Sequence, residues 1–431
     1  MLSKKDQDRI FAEVDSLKDE LVQVICDTVR IPSVTPGFGR EQEISKGGET
    51  RVNLYMEPIM KETGMETDLW EEETGRANLV GVYKGNGEGR SLLFNGHVDV
   101  VPAGDEKQWT QAAPWSGEVK KGLIWGRGSA DMKSGNAAAI YGLKALLKAG
   151  FRPKGDVLIE HVVGEECMNT EAGTGAALKR GYRADAGIVV EPTTYMGRLN
   201  VCPAAPGVAA MVCSVEGKPV HACMYDELIR PGGQGSAVGV SALDKGLIVC
   251  QAMKELGEQW GQSKVHPMFK RPGHFTVGAT FMQSGVGGSV IPENMTMEYG
   301  FFHDPRQKLE DLKQEVSAFL TRYISYDVWL REHPPKCDWV FYWPGYDLKS
   351  DEPICQTLAT ATKAVDQECG EIYGFPAVND AAFINAAGIP TVSMGPGELR
   401  VGHSSREYVP IQDVVDAAKA YALAIAEWCG V

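Results

Sequence analysis

The stretch SLLFNGHVDVVPAGD, residues 91–105, decides the fold class. An apolar run, Leu92 to Phe94, ends at Gly96, and His97 and Asp99 follow two residues apart. On an extended backbone that spacing puts both side chains on one face. A buried strand that ends on polar side chains belongs to open α/β sheets, whose ligands bind beyond the C-terminal strand ends. The same grammar continues on both sides. Residues 78–83, 157–163 and 186–190 are β-rich and apolar, while 136–149 and 174–180 have helical composition. This alternation predicts an α/β domain with a mainly parallel sheet and helices on both faces.

From about Pro206 the pattern changes: strand 207–215, long helix 236–260, strands 275–282 and 295–302, helix 309–323, and a closing strand 338–343. The β-α-β-β-α order predicts an inserted ferredoxin-like α+β lid and dimerisation domain over 206–346, splitting a catalytic domain formed by 1–205 and 347–431. The last segment returns to the first style, with helices 353–367 and 411–428 around a strand near 390–394.

The chain has 431 residues, 43 Lys and Arg against 57 Asp and Glu, and a net charge of -14. Such a field repels phosphate backbones and anionic membranes, so nucleic acid and membrane are not expected partners. The opening segment MLSKKDQDRIFAEVDSLKDEL reads as a charged amphipathic helix, not a signal peptide, and the ten cysteines form no CxxC pair. A cytoplasmic protein with reduced thiols is the expectation.

Four more segments repeat the strand-end theme. In GRGSADMKSGN (126–136), Asp131 sits in a glycine-rich turn before a helix; alone, it reads as a cap. In VLIEHVVGEECMN (157–169) a strand runs into adjacent Glu165 and Glu166, whose charges repel unless a cation or proton compensates. GIVVEPT (187–193) places Glu191 after another apolar run, and VGHSSREYVP (401–410) places His403 ahead of the last helix. His97, Asp131, Glu166, Glu191 and His403 together form an N/O donor set suited to one or two Zn, Mn or Co ions. Asp131, mid-set, is the candidate bridge of a two-metal site. That leaves Glu165 as general base and Asp99 to orient His97.

These segments, with GKPVHA (217–222) and MGPG (394–397), resemble the metal-dependent aminoacylase, acetylornithine deacetylase, succinyl-diaminopimelate desuccinylase and glutamate carboxypeptidase family. VWLREHPPKCDW (328–339) is most similar to the acetylornithine deacetylase branch. The resemblance implies that Asp131 bridges two metals, with His97 and Glu191 on one and Glu166 and His403 on the other. It further implies that Glu165 activates the attacking water, that His221 stabilises the oxyanion in a partner subunit's site, and that Arg306 grips a substrate carboxylate. Ser289 and Asn379 stand where relatives commonly carry Asn and Thr and are candidate substrate contacts, with Tyr373 as an aromatic neighbour.

The reading is therefore a homodimeric hydrolase cleaving the amide C–N bond of a small N-acyl amino acid or related carboxylate, zinc being the first choice of metal. An aminohydrolase releasing ammonia is the alternative. A protein that binds without turnover is the third, disfavoured because no ligand or base is missing.

Overall fold

The computed structural model describes residues 2–37, 46–195, 197–269 and 271–431. Its larger sheet holds β1 (Glu66–Glu73), β2 (Arg76–Tyr83), β3 (Leu92–His97), β4 (Val157–Val162), β5 (Ala186–Val189) and β6 (Thr391–Ser393), in the order β1-β2-β4-β3-β5-β6. Strand β3 is buried along its whole length, as expected for an apolar run covered on both faces. Successive residues show the two layers. The Phe94 ring meets Tyr421 of the helix Ile411–Cys429 edge-on at 5.1 Å, while Asn95 donates to Thr174 Oγ1 of the helix Thr174–Arg180. Neighbouring strand residues point to opposite faces, so these helices lie on opposite sides of the sheet.

The sheet is mixed. Pairings β3–β4, β3–β5 and β5–β6 are parallel, but β1–β2 and β2–β4 are antiparallel. The sheet is mainly parallel, as expected, because only β2 runs against the other strands; the edge strand before it, ETDLWEEE, whose acidic residues mask it, turns through Thr74 and Gly75 into β2. An edge strand with exposed carboxylates needs no continuous apolar run. The helix Ala381–Ala386 is likewise absent from the sequence reading, being too short to show periodicity.

By internal contacts one unit takes residues up to Ala204, Leu348–Phe375 and Asn379–Val431, and the other Ala205–Asp347 with Pro376–Val378. The second unit is a four-stranded antiparallel sheet, ordered Thr276–Ser284, Asn294–His303, Gly207–Glu216, Lys336–Trp343, with helices Ala242–Ser263 and Leu309–Ile324. Its β-α-β-β-α-β order is the ferredoxin-like one. The first of these helices starts later than the composition suggests, because Ser241 caps it by accepting from Asp244 N. Val249, Met253, Leu256 and Trp260 pack from it onto Met211, Met297 and Phe301 of the sheet. Among the described residues no helix is long and apolar enough to cross a membrane.

Because Phe94 is 1% exposed, Phe94→Ala should destabilise the larger unit by about 3–5 kcal/mol. Urea unfolding of this variant beside Val119→Ala, at an exposed position, checks it; equal midpoints would contradict the packing described.

Candidate active site

The parallel strands fix the site. β3, β4 and β5 run side by side in one direction, so His97, the Glu165–Glu166 turn and Glu191 emerge at the same sheet edge. Asp131 enters from the turn ahead of the helix Ser134–Lys148, and His403 from a loop before the last helix, with a left-handed φ of 58°. The Asp131 carboxylate lies between the imidazoles: Oδ1 is 3.2 Å from His97 Nε2 and Oδ2 is 3.3 Å from His403 Nε2. Glu166 reaches His403 Nε2 at 3.1 Å, and Glu191 and Glu165 stand 3.7 and 4.0 Å from His97 Nε2. All six sequence candidates for this centre are brought together.

Burial, reinforced by neighbouring carboxylates, pushes Glu165 and Glu191 well above the usual carboxylate range and raises Glu166. Burial alone would lower both histidines. The surrounding carboxylates outweigh it, holding His97 well above its ordinary value and His403 at about 11. The glutamates are raised first by burial and the histidines by the negative charge around them. Divalent cations fit it: one donor atom each from His97, Asp131 and Glu166 lie within 4.8 Å of one another, and Asp131 Oδ1 is buried without an aligned hydrogen bond. Glu165 is the odd member, since among the described residues its side-chain oxygens accept no hydrogen bond.

Supporting contacts differ from the sequence reading at Asp99. His97 Nδ1 faces the Asp99 backbone oxygen at 2.9 Å, and the carboxylate oxygen only at 3.8 Å. That carboxylate instead accepts from Gly164 N at 2.9 Å and Glu166 N at 3.1 Å. Asp99 thus sets the His97 tautomer with its main chain and holds the glutamate turn with its side chain. Asn136 Nδ2 adds a 2.7 Å bond to His97 O.

Sequence reasoning missed Glu407. Its buried Oε1 accepts from the amides of Gly128, Ala130 and Asp131 at 2.9, 3.1 and 3.2 Å, and its other oxygen pairs with buried Arg127. The available signal was an acid directly before the apolar segment Tyr408–Pro410, where a charge needs partners. Lys133 is held similarly, its Nζ donating to Thr28 O and Ile31 O at 2.9 Å each.

The remaining candidates divide between the units. Asn379 is fully buried, donating to Ser393 Oγ and accepting from Ala381 N, so it anchors the start of the helix Ala381–Ala386. Tyr373 is buried beside Tyr195, ring centroids 6.3 Å apart. In the ferredoxin-like unit, exposed His221 and Ser289 are neighbours: Ala222 N donates to Ser289 O at 3.0 Å, and His221 pairs with Val290. Cys223 N donates to His221 Nδ1 at 3.1 Å, which leaves Nε2 as the donor nitrogen. Arg306 does not present a free guanidinium, because its Nε bonds Asp304 Oδ1 at 2.8 Å and its Nη2 pairs with Oδ2.

The model of Peptidase family M20/M25/M40 matches residues 93–427. The chain is 29% identical over 437 aligned residues to the N-formyl-4-amino-5-aminomethyl-2-methylpyrimidine deformylase of Halalkalibacterium halodurans, covering 98% of this chain and 97% of that protein. It is 33% identical to succinyl-diaminopimelate desuccinylase 2 of a Ruegeria species, over 40% of this chain and 41% of that one. In fold it is similar to a tripeptidase of Staphylococcus aureus, with a TM-score of 0.71, 20% identity, and coverage of 96% of this chain and 98% of that one.

Removing the Glu407 charge tests the support of Asp131. Glu407→Gln leaves Arg127 buried without its counter-charge, so urea unfolding should show a loss of about 3–5 kcal/mol. Metal affinity, read by titration at a temperature where the variant is folded, should fall about 10- to 100-fold. Unchanged affinity in the folded variant would show that the turn does not depend on Glu407.

Proposed function

The chain belongs to peptidase family M20/M25/M40, and from that premise we propose how its site works and on what. It is a metal-dependent hydrolase acting on the amide C–N bond of a small non-protein substrate. The observation that carries the assignment of residues is the Asp131 carboxylate set between two imidazoles at 3.2 and 3.3 Å. Asp131 would be shared between two ions, which His97 and Glu191 on one side and Glu166 and His403 on the other would hold. The imidazole and carboxylate donors favour zinc, with manganese or cobalt as substitutes. When bound, the ions lower the pKa of water and polarise the substrate carbonyl.

The protein's own groups do the rest. Among the described residues the Glu165 carboxylate accepts no hydrogen bond and lies 4.0 Å from His97 Nε2, which suits a proton carrier. It takes the proton from the attacking water and delivers it to the leaving amine. His221, exposed and with Nδ1 accepting from Cys223 N, donates from Nε2 to the developing oxyanion. The substrate is a short N-acyl amide, and an N-formyl amine is the best-supported kind: the deformylase is 29% identical over 98% of this chain, whereas desuccinylases matched over 80% and 90% of it are 26% and 24% identical. The Asp304 salt bridge on Arg306 agrees with a substrate that offers no second carboxylate to that residue.

Assembly belongs to the same proposal. The strand Thr276–Ser284 is a free sheet edge with Phe281 and Met282 exposed, and a groove of about 630 Å³ runs between it and the helix Ala242–Ser263. An unpaired edge beside apolar surface suits two-fold pairing. The proposed enzyme is a homodimer in which each His221 serves its partner's site, working in the cytoplasm with its cysteines reduced.

Chelation should abolish turnover of N-formyl and N-acetyl amines. Glu165→Gln should lower kcat about 10²- to 10⁴-fold at wild-type metal content, and Glu166→Gln should lose metal. The reverse pattern in elemental analysis would exchange the two roles. Mixing inactive His221→Ala subunits with inactive Glu165→Ala subunits should restore part of the activity, because one hybrid site receives both wild-type groups. A monomer by light scattering, or exchange without rescue, would count against the shared site.

A further inference from the structure

One row across the ferredoxin-like unit carries sulfur on every strand. Met282 pairs with Met297, Met297 with Cys213, and Cys213 with Cys337. At the last step the Cys213 and Cys337 sulfurs are 3.5 Å apart. From this geometry we infer that Cys213 and Cys337 form an oxidisable pair, closed to a cross-strand disulfide by a low-molecular-mass disulfide of the glutathione type.

Three observations support the pair. Directly opposed residues of antiparallel strands have Cα atoms about 4.5–5.5 Å apart, within the span a disulfide bridges. The sulfurs need approach by only about 1.5 Å to reach bonding distance, a shift that side-chain rotation supplies without a change of register. That register continues on both sides, with Lys336 opposite Ser214 and Asp338 opposite Val212. Access is asymmetric as well. Cys337 is half-buried on an outer strand, while Cys213 is fully buried on an inner one. The hydrogen bond from one thiol to the other holds Cys337 below its ordinary value and, with burial, pushes Cys213 up.

The order of reaction follows. The Cys337 thiolate attacks one sulfur of the small disulfide, whose S–S bond breaks and releases one thiolate. Cys213 gives its proton to that leaving group or to solvent and attacks the Cys337 sulfur, releasing the second small thiol. Two electrons and two protons pass from the protein to the small disulfide, which becomes two thiols. Cys250 is the competing partner, but its sulfur lies against thioethers, 3.4 Å from Met297 and 3.7 Å from Met282. The closed link would tie residues 213 to 337 into one loop holding both helices of the unit, a constraint that disfavours unfolding.

Reduced full-length protein treated with oxidised glutathione, blocked with N-ethylmaleimide and analysed by intact mass and peptide mapping tests this. The expected result is a mass lower than that of the reduced, blocked protein by two N-ethylmaleimide additions and two hydrogen atoms, a linked peptide joining Cys213 to Cys337, and a higher melting temperature reversed by dithiothreitol. Cys337→Ser should lose the link and the shift in melting temperature, and Cys250→Ala should keep both. A stable glutathione adduct on Cys337, a link to Cys250 or between chains, or a Cys213–Cys337 link that forms only in urea would overturn the inference. Mapping of the wild-type protein alone decides the matter if a variant fails to fold.

Discussion

Buried negative charge that its own neighbours cannot neutralise is the constraint on which the larger unit depends. Asp131, Glu165, Glu166 and Glu191 are all nearly excluded from solvent, and two imidazoles are the cations placed against them. In a medium of low dielectric such a group is stable only if protons or metal ions enter it. The raised histidines and glutamates show what protons alone would do. Divalent ions satisfy the same demand without protonating the glutamates. Electrostatics that would be a defect in a core becomes, at a strand-end edge, the affinity of a metal centre.

Holding such charges in register takes a second tier of contacts, mostly from main chain. Asp99 ties the glutamate turn to β3, Glu407 ties the Asp131 turn to the C-terminal segment, and Asn136 ties the following helix to His97 O. Each uses charge or amide groups against backbone N–H or C=O, which fixes a loop more tightly than side-chain packing could.

The clustered residues were legible in part because His97, Glu165, Glu166 and Glu191 stand where apolar runs stop, whereas Asp131 and His403 sit in turns ahead of helices. The ferredoxin-like unit was legible because its long helices and alternating strands carry clear periods. What escaped reading depended on partners distant in sequence. Whether Asp99 uses its carboxylate or its carbonyl on His97 depends on amides 65 and 67 residues away. Glu407 meets its partners 276 to 280 residues back, and Arg306 is neutralised by an aspartate two positions earlier whose side chain could have pointed elsewhere. Periodicity reports which face is buried; it carries no information on which polar groups meet there.

The reach of Glu407 also bears on how the chain acquires its native state. The Asp131 turn is complete only when residues near 403–410 have come back to it, the longest of the sequence separations that build the centre. Contacts of that kind carry a large loop-closure cost and form late. During synthesis the acidic strand ends are made hundreds of residues before their last histidine and their anchoring glutamate. The Asp131 turn therefore gains its anchoring carboxylate and its second imidazole only when the segment ahead of the last helix packs against it.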